Sequence, residues 1–295
     1  MFDNQTEKFI DILGSVAETM ITNNYADHIY TLSKGISWIT FQNECAAIRI
    51  DDQLCKQGKG ITLYSSFKQN LKGDKIYTVF EDSEGDEWIL TNKGISIIGK
   101  KQVDSDFPFQ YIKEADGIIY LVSQSDKLAS YNFKTRQFKF IEIPYHVSMI
   151  NEVKKFDSNT LLLATDNGLI IYKIKEKEFQ LIDIRTSTQP SNVVQSVYQD
   201  HYKELWIFPQ TTGVIRYNPS TKEMQHLFTP ADEVIRYERK NKNVIFEDRQ
   251  HTLWVLPPEG NLSYYDRENK ELKPMLKDSN NPKSVFSPLV RFYTC

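Results

Sequence analysis

A chain of 295 residues that is 40% hydrophobic and 25% charged has the composition of an ordinary globular protein, and its formal net charge is −3. This balance argues against a dedicated nucleic-acid binder, because phosphate recognition needs a concentrated basic face, and the densest basic run, residues 239–242, is typical of a solvated loop. No segment has the length of a transmembrane helix, and the N-terminus lacks the basic and apolar regions of a signal peptide.

The first predicted elements belong to the end of a repeating unit. Residues 1–12 resemble residues 131–140, which have the pattern of a third strand that ends and a fourth, outer strand that follows it. The first two strands of such a unit have no counterpart before them. We therefore predict a partial unit at the N-terminus.

Six full units follow, each with an anchor residue in its second strand. The anchors are residues 38, 88, 120, 162, 206 and 254, and their spacing averages about 43 residues, the period of a four-stranded propeller blade. Two of them are Tyr120 and Leu162, and the other four are tryptophans: Trp38, Trp88, Trp206 and Trp254.

Within a unit the predicted order is strand A, a turn, strand B with the anchor, a Gly turn, strand C, a polar turn and the outer strand D. In three units an Asp lies six residues before the Trp, at positions 82, 200 and 248. Its carboxylate can accept hydrogen bonds from backbone N–H groups of the A–B turn. Because one unit cannot bury both of its faces, we expect radial stacking with the tryptophans in the core between blades.

Residues 284–292 have the alternating pattern of an inner strand A with no strand after it. We hypothesise that this strand and the N-terminal partial unit form an incomplete seventh blade that closes the ring. The alternative is an open piece of a longer array. The sequence thus predicts an all-β fold, a β-propeller of about seven blades, as a single domain over residues 1–295 that is a fragment of a larger protein.

The repeat resembles the two-component regulator propeller repeat, whose units follow the pattern V-x-x-I-x-E-D-x-x-G-x-L-W-I-G-T and then G-L-x-x-Y. Residues 79–91, followed by Gly94, match this pattern well, and the resemblance recurs over residues 29–275. Two units lack the Trp. The Gly that follows the Trp-Ile pair in the pattern is replaced here by Leu90, Phe208 or Leu256.

This resemblance implies the periplasmic sensor region of a hybrid sensor histidine kinase, an inner-membrane protein common in glycan-degrading bacteria. In that family two propellers usually precede a β-sandwich, a membrane helix and the kinase. The signal is typically an oligosaccharide or another small molecule, and the receptor acts as a homodimer. The chain itself would then be a sensor and not an enzyme, with the second propeller and the β-sandwich of its parent as partners, no nucleic-acid partner and no cofactor.

Catalytic and metal-binding motifs are not recognisable, so we predict no catalytic or metal residue. His201 and His251 fall in equivalent A–B turns, which is typical of solvated turn residues. The acidic residues 82–87 lack the full oxygen set of a calcium loop, and we interpret them as a hairpin turn. Cys45 and Cys55 either pair across a loop in an oxidising compartment or remain separate thiols.

If the propeller binds a ligand, we expect the site on the loops of one face or at the mouth of the channel. The connections from an outer strand to the next inner strand are the longest variable segments, and some carry aromatic or Arg residues that the repeat does not need. Aromatic rings stack on sugars, and Arg donates to hydroxyl groups. The candidate ligand-binding residues are Tyr145, His146, Arg185, Arg236, Tyr237 and Arg239. The alternative is that they are ordinary loop residues.

Two other functions remain open at this stage. A propeller glycosidase or lyase would need an acid pair or a metal cluster in the channel, and the separation of carboxylates is a three-dimensional quantity. A protein-interaction scaffold would instead show a large exposed apolar patch on one face.

Overall fold

The computed structural model of the chain divides it into two compact units, Met1–Glu142 (unit 1) and Ile143–Cys295 (unit 2). Helix is confined, among the described residues, to the short turns Ser33–Gly35 and Asp52–Cys55. None of the helices found there is long and apolar enough to cross a membrane. The structure describes residues 2–3, 8–9, 26–41, 46–55, 59–65, 71, 73–99, 108–115, 117–123, 125–132, 135, 137–187, 189–211, 213–227, 244–256 and 262–275.

Unit 1 consists of sheets in which strands pair antiparallel in chain order. A two-stranded pair comes first, with β1 (Phe2–Asp3) and β2 (Lys8–Phe9). The next sheet contains β3 (Ala26–Thr31), β4 (Ile36–Phe41), β5 (Ala46–Asp51) and β6 (Ile61–Ser65). The third contains β7 (Ile76–Glu81), β8 (Glu87–Thr91) and β9 (Gly94–Ile97). The fourth contains β10 (Phe109–Ala115), β11 (Ile118–Ser123), β12 (Leu128–Asn132) and β13 (Gln137–Ile141).

Unit 2 contains three four-stranded sheets of the same kind within the part that the structure describes. The first contains β14 (Ile150–Asp157), β15 (Thr160–Thr165), β16 (Gly168–Lys173) and β17 (Glu178–Ile182). The second contains β18 (Val194–Gln199), β19 (Leu205–Pro209), β20 (Val214–Tyr217) and β21 (Met224–Leu227). The third contains β22 (Val244–Glu247), β23 (Leu253–Leu256), β24 (Ser263–Asp266) and β25 (Glu271–Pro274).

These sheets confirm the predicted A–B–C–D unit, and every predicted anchor lies in a strand B. The two sequence repeats that lack the Trp still form complete four-stranded sheets, because the strand-forming pattern around Tyr120 and Leu162 is intact. The short N-terminal strand pair occurs where the partial unit was predicted. The predicted strand over residues 284–292 lies outside the described residues, so closure of a seventh blade stays a hypothesis.

The Asp carboxylate fixes each A–B turn that has the Asp-x5-Trp spacing, and it is buried in two of the three turns, at Asp82 and Asp200. In the β7–β8 turn, Oδ1 of Asp82 accepts the backbone N–H groups of Glu84 and Asp86 at 3.0 and 2.8 Å, as predicted. Its Oδ2 accepts the indole N–H of Trp88 at 2.8 Å, a contact that the Asp-Trp spacing alone does not predict. The same indole bond recurs at 2.9 Å from Trp206 to Asp200 and from Trp254 to Asp248.

Adjacent sheets are linked by a repeated contact from an A–B turn to the Glu at or near the end of the next strand A. In unit 1, Glu81 accepts the backbone N–H of Ser33 at 2.6 Å and its hydroxyl at 2.5 Å. These hydrogen bonds lower the pKa of Glu81. Ser83 donates to Glu114 in the same way, and in unit 2 the N–H of His201 donates to Glu247 at 2.8 Å. One residue type at one place in the repeat thus sets the register between sheets.

The core lies between neighbouring sheets, as the tryptophan pattern predicts. Trp38, Trp88 and Trp206 are fully buried, and Trp88 packs edge-on against Tyr131 of the next sheet. Trp254 differs from the prediction because it is only half-buried and packs between its cross-strand neighbours Phe246 and Tyr264. For the cysteines, Cys55 is a free, half-buried thiol, which favours the separate-thiol alternative. Its predicted partner Cys45 lies outside the described residues.

Replacing Asp82 by Ala removes the acceptor of the Trp88 indole and of two turn N–H groups in a buried site. We expect the free energy of unfolding to fall by about 3 kcal/mol, because the buried indole N–H is left without an acceptor and the turn loses two hydrogen bonds. Urea denaturation measures this. Asp126→Ala is the matched control, since Asp126 forms an exposed ion pair with Lys127, and the loss in unfolding free energy should stay below about 0.5 kcal/mol. Equal losses in the two variants would contradict the structural role of the Asp–indole bond.

A second prediction concerns His226 on the outer strand β21. Its Nε2 is buried without a partner among the described residues, and burial lowers the pKa of its imidazole. As the pH falls, the imidazole of the unfolded chain is therefore protonated before that of the folded chain. The contribution of neutral His226 to the unfolding free energy is complete above about pH 6.5 and declines below that pH. The unfolding free energy of His226→Gln should fall less steeply than that of the wild type between about pH 6.5 and 5. His146→Gln, which removes an exposed imidazole, is the control, and parallel curves for wild type and His226→Gln would refute the prediction.

Candidate functional site

The connections from strand D to strand A and the turns between strands B and C meet at one end of the unit 2 sheets. We call this end the B–C rim, formed by residues 144–149, 166–167, 183–187, 189–193, 210–211 and 213. Three of the six predicted ligand residues, Tyr145, His146 and Arg185, lie on it. The other three, Arg236, Tyr237 and Arg239, lie outside the described residues.

The predicted residues of the B–C rim differ in how free their side chains are. The hydroxyl of Tyr145 donates to the backbone carbonyl of Phe179 at 3.1 Å, and the ring is half-buried, so Tyr145 ties the loop to β17. The side chain of His146 is exposed. Nε of Arg185 donates to both carboxylate oxygens of Asp183, at 2.9 and 3.0 Å, and this lowers the pKa of Asp183 while the guanidinium remains exposed.

Two asparagines that the sequence analysis did not select connect these positions. Nδ2 of Asn167 donates to the backbone carbonyl of His146 at 3.0 Å. Nδ2 of the buried Asn192 donates to Oδ1 of Asn167 at 3.0 Å, and its own Oδ1 accepts the N–H of Ile184 at 2.9 Å, one residue before Arg185. A continuous chain of hydrogen bonds therefore joins the backbone of His146 to that of Ile184, the residue before Arg185.

The β17–β18 connection is held rigid by further polar contacts. The N–H of Gln189 donates to Oγ1 of Thr186 at 3.0 Å, closing a tight turn. The side chain of Gln189 is buried; its Nε2 donates to Ser191 at 3.0 Å, and its Oε1 accepts the hydroxyl of Thr211 from the next B–C turn. Gly168 is also required here, because its φ is +98° and a Cβ would lie 2.6 Å from the carbonyl of Ile182. The rim thus presents Arg185 on a preorganised scaffold.

A signal for Asn167 and Asn192 exists in the sequence but is weak. Asn167 belongs to an Asp-Asn-Gly turn, which is expected in any hairpin. Asn192 lies in a loop whose fold cannot be read from spacing. Their pairing depends on the packing of one sheet beside another, which sequence periodicity does not give.

The opposite end of the unit 2 sheets, which we call the A–B rim, is formed by residues 200–204 and 248–252 together with Arg267. Here Nη2 of Arg267 donates to Oδ2 of Asp200 at 2.8 Å, and its Nη1 donates to Oε2 of Glu204 at 3.0 Å. Nε of Arg216 donates to the same oxygen of Glu204 at 2.9 Å. Two buried acids thus face two arginines.

Charge compensation decides what these acids can do. Burial alone would raise the pKa of Glu204, but the hydrogen bonds and charges of Arg216 and Arg267 outweigh it and lower the pKa. An ionised carboxylate committed to guanidinium groups is a poor general acid. Glu204 therefore supports the fold and is unsuited to act as the general acid of a glycoside-cleaving pair.

The remaining predicted features of the turns can be placed as well. The acidic residues 82–87 form the hairpin turn that was predicted, with both oxygens of Asp82 used by the turn and by Trp88. His201 and His251 are exposed turn residues, as predicted, and their rings stack at a centroid distance of 3.7 Å. Within the described ranges no group of three or more His, Cys, Asp or Glu has the arrangement to hold a metal ion.

No family model matches the chain. A curated relative, histidine kinase P4 of Formosa agariphila, is 22% identical over 261 residues, which are 84% of this chain and 17% of that protein. The chain thus spans only a small part of its relative's length.

Solved structures show the same architecture. The extracellular domain of the putative hybrid two component system BT3049 from B. thetaiotaomicron has a TM-score of 0.58 at 14% identity, covering 92% of this chain and 37% of that one. Virginiamycin B lyase from Staphylococcus aureus has a TM-score of 0.58 at 17% identity, covering 85% and 84%. The β-propeller domain of Cps50 from Myceliophteria thermophila has a TM-score of 0.55 at 13% identity, covering 88% and 90%. At these identities the likeness shows the fold alone, and it confirms the predicted β-propeller.

Replacing Arg267 by Ala tests the role of the A–B rim ion cluster. The substitution leaves Asp200, with a fully buried side chain, and Glu204 with less compensation, so we expect the unfolding free energy to fall by about 3 kcal/mol at pH 7. The control is Lys270→Ala, whose ion pair with Glu223 is exposed, with an expected loss below about 0.5 kcal/mol. Urea denaturation of both variants measures the difference, and a mild effect for Arg267→Ala would mean that the cluster is dispensable for folding.

Proposed function

We propose that this chain is the ligand-sensing propeller in the periplasmic region of a hybrid two-component sensor histidine kinase, and that it responds to an oligosaccharide. The observation that supports this most is the match of 84% of the chain to a histidine kinase. The likeness to the extracellular domain of a hybrid two component system over 92% of the chain agrees with it. The periplasmic location, the homodimer and the second propeller and β-sandwich as partners are parts of the same proposal.

The ligand site in this proposal is the B–C rim of unit 2. A sugar presents hydroxyl groups that need donors and acceptors in fixed positions. The hydrogen bonds from His146 through Asn167 and Asn192 to Ile184 hold the loop on which the exposed side chains of His146 and Arg185 are offered. The exposed guanidinium of Arg185 is the donor to the ligand. Its partner Asp183 is exposed as well, so a ligand hydroxyl can replace the carboxylate as the acceptor. Tyr145 positions the loop through its bond to Phe179.

Signalling in this proposal is a shift between two receptor arrangements. A ligand can move such an equilibrium only as far as it binds one arrangement better than the other. A rigid rim serves this purpose, because a loop that is already ordered loses little entropy on binding.

A thermal-shift screen against oligosaccharides tests the proposal. A ligand that binds only the folded chain raises its unfolding free energy by about 2.7 kcal/mol at a hundredfold excess over Kd. Arg185→Ala should reduce the shift several-fold without changing the melting temperature of the free protein. Lys127→Ala is the matched control, because Lys127 also forms an exposed ion pair with a near neighbour, Asp126, in a B–C turn.

The proposal fails if no oligosaccharide shifts the melting temperature of either the chain or the whole periplasmic region of the receptor. A shift that Arg185→Ala leaves intact would keep the sensor and reject the B–C rim as its site.

An enzymatic function is the second candidate, because virginiamycin B lyase from Staphylococcus aureus aligns along most of both chains. One structure of that lyase is described as catalytically inactive through a His to Ala change, with quinupristin bound. Incubating this chain with quinupristin and following the substrate by mass spectrometry separates the two candidates. Turnover would favour the lyase, and an unchanged substrate beside a glycan-induced thermal shift would favour the sensor.

A further inference from the structure

Two neighbouring A–B turns of unit 2 bring aromatic side chains together at the surface. The rings of His201 and His251 stack with centroids 3.7 Å apart and planes 17° from parallel. Tyr202 lies edge-on to His201 at a centroid distance of 5.4 Å. All three side chains are exposed, and Tyr202 is 56% exposed. The turns therefore form a small aromatic shelf, which we define as His201, Tyr202 and His251.

The orientation of Tyr202 is fixed although the core does not require it. The guanidinium of Arg267 lies 4.0 Å from the centre of the Tyr202 ring. Arg267 is itself held by the buried acids Asp200 and Glu204. An aromatic ring that is mostly exposed contributes little to folding, yet its immobilisation prepares it to stack on a ligand without further loss of entropy.

The exposed charges on the two turns that carry the shelf are positive. The exposed charged residues of the two turns are Lys203 and Arg249, and neither forms an ion pair with any described residue. The acids of the same turns already have partners: the buried Asp200 binds Arg267 and Trp206, the buried Glu204 binds Arg216 and Arg267, and the half-buried Asp248 binds Trp254. A ligand that reaches the shelf therefore meets aromatic faces flanked by two cations.

We propose that the aromatic shelf, with Lys203 and Arg249, is a binding site for an anionic oligosaccharide. The sugar rings lie on Tyr202 and the histidines, and carboxylate or sulfate groups bind the two cations. This inference rests on the proposed sensing function and adds a subsite at the end of the sheets opposite the B–C rim. A protein partner fits less well, because a stable interface buries about 800 Å² on each side, whereas the shelf spans two turns flanked by polar groups such as Gln250.

Calorimetry with a matched pair of ligands tests the charge requirement. Tetragalacturonate carries a carboxylate on each ring, and its fully methyl-esterified form keeps the rings but loses the charge. We expect the acid to bind at least tenfold more tightly than the ester, with an affinity that falls as salt rises. A sulfated tetrasaccharide in a third titration distinguishes sulfate from carboxylate as the preferred anion.

Variants test the assignment to the shelf. Tyr202→Ala should weaken binding of the anionic ligand about tenfold, whereas Tyr202→Phe, which keeps the ring, should bind like the wild type. The double variant Lys203→Gln/Arg249→Gln should weaken binding and flatten the salt dependence. Phe140→Ala is the control, because Phe140 is 50% exposed on β13 and should leave the affinity unchanged. Urea denaturation of each variant confirms that it folds.

The outcomes separate this inference from the proposed function. Unchanged affinity in Tyr202→Ala and in the double variant, or absence of anionic binding at millimolar concentration, overturns the shelf. A neutral glycan that binds through Arg185 would then leave the sensor in place. If no glycan of either kind affects the complete receptor, the sensing function itself is wrong.

Discussion

In the blades with the Asp-x5-Trp spacing, one carboxylate serves two partners, the backbone of the A–B turn and the indole of strand B. A buried indole N–H needs an acceptor, because its desolvation is not otherwise offset. Asp82 provides one with Oδ2 while Oδ1 holds the turn, so the turn geometry and the position of Trp88 are set together. Because that Trp packs against the next sheet, the same bond also determines how neighbouring blades meet.

The sheet formed by β3–β6 in unit 1 shows how strong this requirement is. Leu32 occupies the position of the Asp there, and the indole of Trp38 instead donates to Glu87 of the following sheet at 2.6 Å. Glu87 is buried and needs a counter-charge, which Arg49 supplies from strand C, opposite Trp38. In unit 2 Arg216 holds the same place opposite Trp206 and binds Glu204. Arginines on strand C thus follow from burying acids beside the tryptophans, whose charge they compensate.

The repeat made most of the fold accessible from sequence. Each strand B was located by its anchor, and the Asp spacing indicated the turns, because both depend on local chemistry that recurs along the chain. The half-exposure of Trp254 was missed, since it depends on what packs beyond its sheet and not on its own repeat. Asn167 and Asn192 were missed for a related reason: their hydrogen bond joins segments of neighbouring sheets, and no spacing within one unit encodes it. Tyr145 was selected as a ligand residue, but its hydroxyl is engaged with Phe179, a contact that no sequence pattern predicts.

The two ends of the unit 2 sheets divide structural and binding roles differently. At the B–C rim the backbone is fixed by amide side chains, and a single guanidinium, Arg185, remains exposed beside its local partner. At the A–B rim the ion pairs are buried, and their Arg267 contacts the face of the exposed Tyr202 ring. At both rims the polar network fixes the position of the exposed side chain, and that side chain itself contributes little to the stability of the fold. Such exposed groups can change between related repeats without destabilising a blade, which is how a fold of equivalent blades can acquire distinct ligand specificities.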